Sequence, residues 1–260
     1  MRRKFLIRLA WALGLLLTLS LTLFWFAPAS MLGYWLEKQQ SPLQLGMIKG
    51  SMRDGQAKQV YFNGIDVGTL NWQLGNFQLR PLGAQLQFQV NGIQVQADGK
   101  LNMRLSEPLT ATEMRGYFPA NWLDLQGLAP FLFAHGIINF DLNHIELAEK
   151  SAPDIRGNIN WDQAGLNGLI TAELGELLFN LDKQPAADSQ LVVNFSNSGD
   201  ADIYMNGVIN SDGRIYQLSA NARASTKRND IGNFLQRIGK LQNNGMYQIE
   251  FSGNLFPDEK

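Results

Sequence analysis

Between Ala84 and Val90 the chain reads AQLQFQV, so Ala84, Leu86, Phe88 and Val90 alternate with Gln85, Gln87 and Gln89. A period of two sorts side chains onto opposite faces of a β-strand, whereas a helix would scatter the same residues around its axis. Asn91-Gly92 follows as a two-residue hairpin signal, placing Val90 opposite Ile93, Phe88 opposite Val95 and Leu86 opposite Ala97. Asp98-Gly99 reads as a second turn. An odd loop or a bulge there restores Ala97 opposite Leu101 and Val95 opposite Met103. The stretch therefore predicts a three-strand meander with one apolar and one polar face.

The same periodicity recurs in a short motif. GTLNW at Gly68–Trp72 and GNINW at Gly157–Trp161 are nearly identical, and GIINF from Gly136 and GELLF from Gly175 are looser copies. In the first, Leu70 and Trp72 share a face; in the second, Ile159 and Trp161 do. These residues, with Phe88, are the expected core anchors. Either half-buried strands that start after glycine or duplication of one β-unit produces such a pattern. QLVVNFS, ADIYMNGVI, RIYQLSANARA and MYQIEFSGNL add further strands, divided by Gly, Asn, Asp and Ser turns.

Helix is sparse. DIGNFLQRIGKL sets Ile231, Phe234, Leu235 and Ile238 at helical spacing, with Asp230 as cap and Gly239 as stop. ANWLDLQGL reads as a short helical turn ended by Pro130. The segment 182–189, DKQPAADS, reads as a loop that could divide two subregions.

From Leu9 to Ala27 no residue is charged, and 19 residues of helix span about 29 Å, close to a hydrocarbon core of ~30 Å. Arg2, Arg3, Lys4 and Arg8 all precede this run, which keeps the amino end cytoplasmic and exports the rest. Ala27-Pro28-Ala29 also fits a signal-peptide cleavage site. The run is longer than an ordinary h-region of about 7 to 15 residues, and MLGYWLEKQQ continues helix-like with Leu32, Trp35 and Leu36 on one side, so a retained span is the reading adopted. Of 22 basic residues, the four at the start leave 18 against 23 acidic ones in the body, about −5. Such a body has no footprint for nucleic acid.

The resulting layout is a basic tail at 1–8, a transmembrane helix at 9–27, a juxtamembrane connector at 28–44 and a periplasmic β domain at 45–260. The fold class is mainly β: an antiparallel, meander-rich sheet, curved or folded into a sandwich, with one or two short helices.

Chemistry is thin. There are no cysteines and two histidines. His135, His144 and Asp141 match no metal-ligand spacing, and Asp200 with Asp202 lacks the acid-rich loop and terminal Glu of a calcium site. No nucleophile elbow, P-loop or dinucleotide fingerprint occurs. The expectation is a non-enzyme without catalytic, metal or cofactor residues. Gln85, Gln87, Gln89, Gln94 and Gln96 carry no charge on a face where strands usually place Lys or Glu; they form the candidate interaction face.

LGMIKGSMRDGQAKQVYFNGIDVGTLNWQL (residues 45–74), RGNINWDQAGLNG (156–168) and NGVINSDGRIYQLSANARA with LQRIGKLQNNGMYQIEFSGNL (206–224, 235–255) resemble the type II secretion system protein N family, the general secretion pathway protein N proteins. The resemblance covers nearly the whole chain. Met52 and Arg53 depart from it where the family often carries an aromatic. It implies an inner-membrane accessory of the apparatus that exports folded proteins across the outer membrane, with other secretion subunits as partners. A second class looks similar: periplasmic lipid-transfer proteins of the AsmA or lipopolysaccharide-bridge kind. A second, unfilled apolar face marks the lipid carrier; the face opposite the apolar one here is Gln, Asn and Arg, which favours the scaffold. A face filled by the protein's own core marks the scaffold.

Overall fold

The computed structural model describes residues 15, 27–79, 82–105, 107–123, 132–146, 153–168, 171–183, 190–212 and 215–254. Apart from Leu15 and Ala27, the span expected at 9–27 lies outside them. Among the described residues no helix is long and apolar enough to cross a membrane.

A short helix, α1 (Ser30–Lys38), leads into a run of hairpins. These are β1 (Leu43–Gly50), β2 (Asp54–Phe62), β3 (Ile65–Leu79), β4 (Leu82–Asn91), β5 (Gln96–Arg104) and β6 (Thr110–Pro119). Then come β7 (Leu132–Glu146), β8 (Asp154–Gly168), β9 (Ala172–Lys183), β10 (Leu191–Ser198), β11 (Ile203–Ser211) and β12 (Ile215–Ala224). The chain closes with α2 (Asn229–Ile238), β13 (Lys240–Leu241) and β14 (Tyr247–Asn254). All 14 strands form one open antiparallel sheet in chain order, except that β14 lies between β12 and β13. The expected architecture holds in this form, with two short helices. β9 and β10 pair directly from Lys183↔Leu191 onward, so the 182–189 segment does not divide the sheet.

Cross-strand partners join into one continuous row. It starts Ile48, Ala57, Leu70, Val90 and Ala97, and passes through Gly116, Phe140, Ile159, Phe179 and Phe195 to Gly207, Ala220 and Ile249. The adjacent row lies on the other face: Lys49, Gln56, Asn71, Gln89, Asp98, Arg115, Asp141, Asn158, Asn180 and Asn194. Because the side-chain period is two, one row is apolar wherever its neighbour is polar.

The β4–β5 connection differs from the expected meander. Gly92–Val95 form a four-residue loop closed by Gly92 N–H donating to Val95 O at 2.8 Å, so Val90 pairs with Ala97, Phe88 with Gly99 and Leu86 with Leu101. Ile93 stands fully exposed at the tip instead of facing Val90. No turn occurs at Asp98-Gly99, which lies inside β5. Gly99 is small for a packing reason: a Cβ there would meet Met114 Sδ at 2.3 Å and Phe88 at 3.3 Å. Ala97, Gly99, Leu101 and Met103 thus belong to one uninterrupted strand.

The glycine-led motifs share a backbone device. Gly68 has φ +88° and Gly157 φ +145°, and Gly136 and Gly175 are likewise at positive φ. Each is associated with a register shift or a tight crossing of the neighbouring strand, and a Cβ at Gly68 would approach Asn91 O to 2.3 Å. A bulge of this kind kinks and twists the strand and aims the following residues. Four residues on, Trp72 and Trp161 are 5% and 8% exposed.

Two apolar clusters sit on the sheet. One joins Ile138, Trp161, Leu174, Leu177 and Ile203 to Ile231 and Leu235 of α2. The other joins Ala29, Ala57, Val60, Val67, Trp72 and Val95. Phe118 packs against both. On α2, Ile231 and Leu235 are buried, but Phe234 and Ile238 of the expected stripe are 39% and 47% exposed. Asp230 is not the cap; it lies in the first turn, and the position before the helix is Arg228. Arg228 clips the helix down. Its guanidinium donates to Asp230 at 2.8 and 3.0 Å, to Thr171 O at 2.6 Å and to Asp202.

The hydrogen bond from Arg228 lowers the Asp230 pKa to about 2. A folded-state pKa below that of the unfolded chain, about 3.9, contributes stability that is present above pH ~4 and lost as pH falls through 2. Acidification from pH 5 to 2 should therefore lower the thermal midpoint. Arg228→Met should flatten the part of that pH dependence due to this clip; an unchanged profile would show that the clip does not hold α2.

Candidate docking site: an apolar groove and an amide-lined face

The two halves of the apolar face are covered differently. Over β8–β12 and β14, α2 supplies the fully buried Ile231. Over β1–β5, the cover among the described residues is α1, with Phe118 and Trp122 packing against the same cluster. Leu32 and Leu36, four residues apart on one side of α1, face a groove of about 440 Å³ whose floor includes Leu45, Val60, Leu70, Trp72, Val90 and Leu101. Every lining residue is apolar. Trp35, expected beside Leu32 and Leu36, turns the other way: with Met31 and Tyr34 it stands 56–71% exposed on the outer side of α1. Helix periodicity explains this, since 35 follows 32 by 300° and 36 by 400°, leaving 35 at the margin and 32 with 36 in line.

Residues 27–29 fix where α1 starts. Ala29 N–H donates to Gly50 O at 3.1 Å, Met52 N–H donates to Ala27 O at 2.9 Å, and Ala29 is 1% exposed. The segment before the sheet is thereby pinned at the β1–β2 turn. The sheet itself begins at Leu43, inside the expected connector.

The two tryptophans differ in one atom. Trp161 Nε1–H donates to His135 O at 2.8 Å. Trp72 Nε1 is buried and has no partner among the described residues. Its indole lies over Gly55, where a Cβ would meet Trp72 Cζ2 at 2.3 Å, at the end of the groove beside the β1–β2 turn. A buried N–H without an acceptor costs on the order of 1–3 kcal/mol, so this site is unlike an ordinary core.

The opposite face is amide-rich. Gln56 donates to Asn71 at 2.8 Å, Gln85 to Asn102 at 2.9 Å and Asn180 to Asn158 at 2.9 Å, and Arg115 pairs with Asp141 at 3.1 Å. Gln87 and Gln89 are exposed beside a shallow depression with Asn71, Gln73 and Lys100. Gln96 is exposed at the start of β5 and Gln85 is half-buried. Gln94 is exposed in the β4–β5 loop, off the sheet face. So the structure brings together Gln85, Gln87 and Gln89 and leaves Gln94 apart. His135 and His144 lie on β7, where His135 approaches Glu173 at 3.4 Å and Asn167 at 3.2 Å, and His144 approaches Glu146 at 3.8 Å. Among the described residues no three His, Cys, Asp or Glu side chains converge on a metal position.

The model of the family described as type II secretion system (T2SS), protein N, matches residues 41–250, the whole sheet apart from its last few residues. The chain belongs to the type II secretion system protein N family. A curated relative named type II secretion system protein N, from Vibrio cholerae serotype O1, is 27% identical over 140 residues, covering 52% of this chain and 56% of the relative. The match thus spans little more than half of that protein N. No solved structure matches. The groove and the role of α1 escaped the sequence reading, since alternation shows that a face is apolar and not what lies on it. The i, i+4 pair Leu32 and Leu36 was the available signal.

Trp161→Phe should lower the thermal midpoint more than Trp72→Phe. The first leaves His135 O without its indole donor, worth roughly 1–3 kcal/mol, or several degrees for a chain of this size. The second removes a donor that has no partner. Calorimetry on both variants checks this; equal losses would mean that the two sites are energetically alike.

Proposed function

We propose that this protein is a non-catalytic, inner-membrane-anchored accessory of a type II secretion system that acts through protein contacts. Residues 1–8 are its cytoplasmic tail, 9–27 its span, 28–44 the connector and 45–260 the periplasmic domain. Family membership supports the secretion role. The observation that carries the contact role is the amide-rich face: among the described residues it presents Gln87 and Gln89 exposed, in and beside a polar row whose charges include the paired Arg115 and Asp141. Such a face is cheap to desolvate against a partner that matches its donors and acceptors, and a membrane tether raises the effective concentration of weak contacts.

Two features support retention of the span. Cleavage after Ala29 would remove Ala27 and the buried Ala29, which hydrogen-bond to Met52 and Gly50 at the β1–β2 turn. Tyr34 and Trp35 on the outer side of α1 are the residue types that favour a membrane interface.

A photo-reactive residue at Gln87 or Gln89, in the full chain in its native membrane, should cross-link to inner-membrane secretion subunits. Loss of the chain should reduce secretion through that apparatus. Undiminished secretion, with no secretion subunit captured from either position, would contradict the proposal.

A further inference from the structure

The groove beneath α1 is the part of the molecule that protein contacts on the polar face leave unexplained. Three observations limit its occupant. First, its walls are entirely apolar. An extended peptide would bring backbone N–H and C=O groups that find no partners there. Second, the groove is small. Two turns of helix, about 10 Å across with side chains and 11 Å long, fill on the order of 850 Å³, whereas the groove holds about 440 Å³. Third, no polar side-chain atom opens into it: Trp72 Nε1, at one end, is itself buried and has no partner among the described residues.

Length and position point the same way. The floor runs along β3 from Val67 to Trp72, five steps of ~3.3 Å or about 17 Å. That is close to half of a ~30 Å hydrocarbon core, the depth reached by one lipid's chains. The Trp72 end lies beside Gly55, which pairs with Gly50, and Gly50 accepts from Ala29. The chain arrives there from the apolar run 9–27. The wall formed by Leu32 and Leu36 is therefore within a helical turn or two of the point where a bilayer-embedded segment would emerge, with Tyr34 and Trp35 on its outer side.

We propose that this groove binds an acyl chain of a phospholipid from the bilayer that anchors the protein, the chain lying between α1 and β1–β5. The site holds a lipid tail while the polar face remains available to protein partners. This rests on the anchorage proposed above and is separable from the secretion role.

The test uses the full chain reconstituted into phosphatidylethanolamine and phosphatidylglycerol vesicles, with a fraction of the phosphatidylethanolamine carrying a diazirine in its acyl chain. After photolysis, mass spectrometry maps the adducts. Adducts at Leu70, Val90 or Leu101, well above those at Gln87 and Gln89, support the site. In Ala97→Trp, which narrows the groove, these adducts should be lost while those within residues 9–27 persist. Adducts confined to 9–27 and the outer side of α1 in the unaltered chain would overturn the groove and leave the anchorage standing. Absence of adducts in 9–27 as well would overturn both. Recovery of Val90 cross-linked to a second copy of the chain, without lipid, would also overturn it, since the face would then be covered by protein.

Discussion

Every strand of this sheet except the two-residue β13 has to deliver one inward residue to the same row, and that register is what the rest of the fold depends on. The row from Ile48 to Ile249 crosses 13 strands without changing face. A slip of one residue anywhere would turn Phe140, Ile159 or Phe179 outward and bring Asp141, Asn158 or Asn180 into the apolar layer. Bulges at positive-φ glycines such as Gly68 and Gly157 let the strands bend without breaking this alternation. Stability of the row then depends on what covers it.

Cover is uneven among the described residues. Over the second half, α2 packs Ile231 and Leu235 onto Trp161, Leu174 and Leu177, and Arg228 fastens the helix to Asp202 and Thr171. Over the first half, α1 offers Leu32 and Leu36 to a groove that stays open. The repeated glycine-to-tryptophan motif ends differently in each half: in a satisfied indole at Trp161, and in an unsatisfied one at Trp72. Among the described residues the face opposite the apolar row is polar, so the second apolar face expected of a lipid carrier is not seen there, and that polar face is untouched by whatever lies in the groove.

Strands were readable wherever alternation was strict, because the pleat makes a one-dimensional pattern out of burial. The glycine motifs were readable as strand starts; that they impose positive φ followed only from the backbone. Asp98-Gly99 misled because a turn dipeptide and a glycine cleared for Phe88 and Met114 look the same in one dimension. Asn91-Gly92 marked the right bend and the wrong loop length, and that shift moved Ile93 from a paired position to an exposed tip. On α2 the stripe gave the two core residues and two exposed ones, since helix spacing cannot tell how wide a sheet surface awaits. Neither the groove nor the clip by Arg228 was legible. Both are made by residues far apart in sequence, through which element happens to lie over which strand.

Opening of the apolar face to lipid over β1–β5, against its burial under α2 further along, can be measured directly. The chain has no native cysteine, so a single nitroxide can be placed at Val90 or at Leu177 in the full protein in a bilayer. Collision with molecular oxygen, which partitions into apolar regions, reads the difference directly. Strong oxygen relaxation is expected at Val90 and almost none at Leu177. Equal protection at the two positions would contradict it, and would mean that the sheet covers both halves of its apolar face with its own chain.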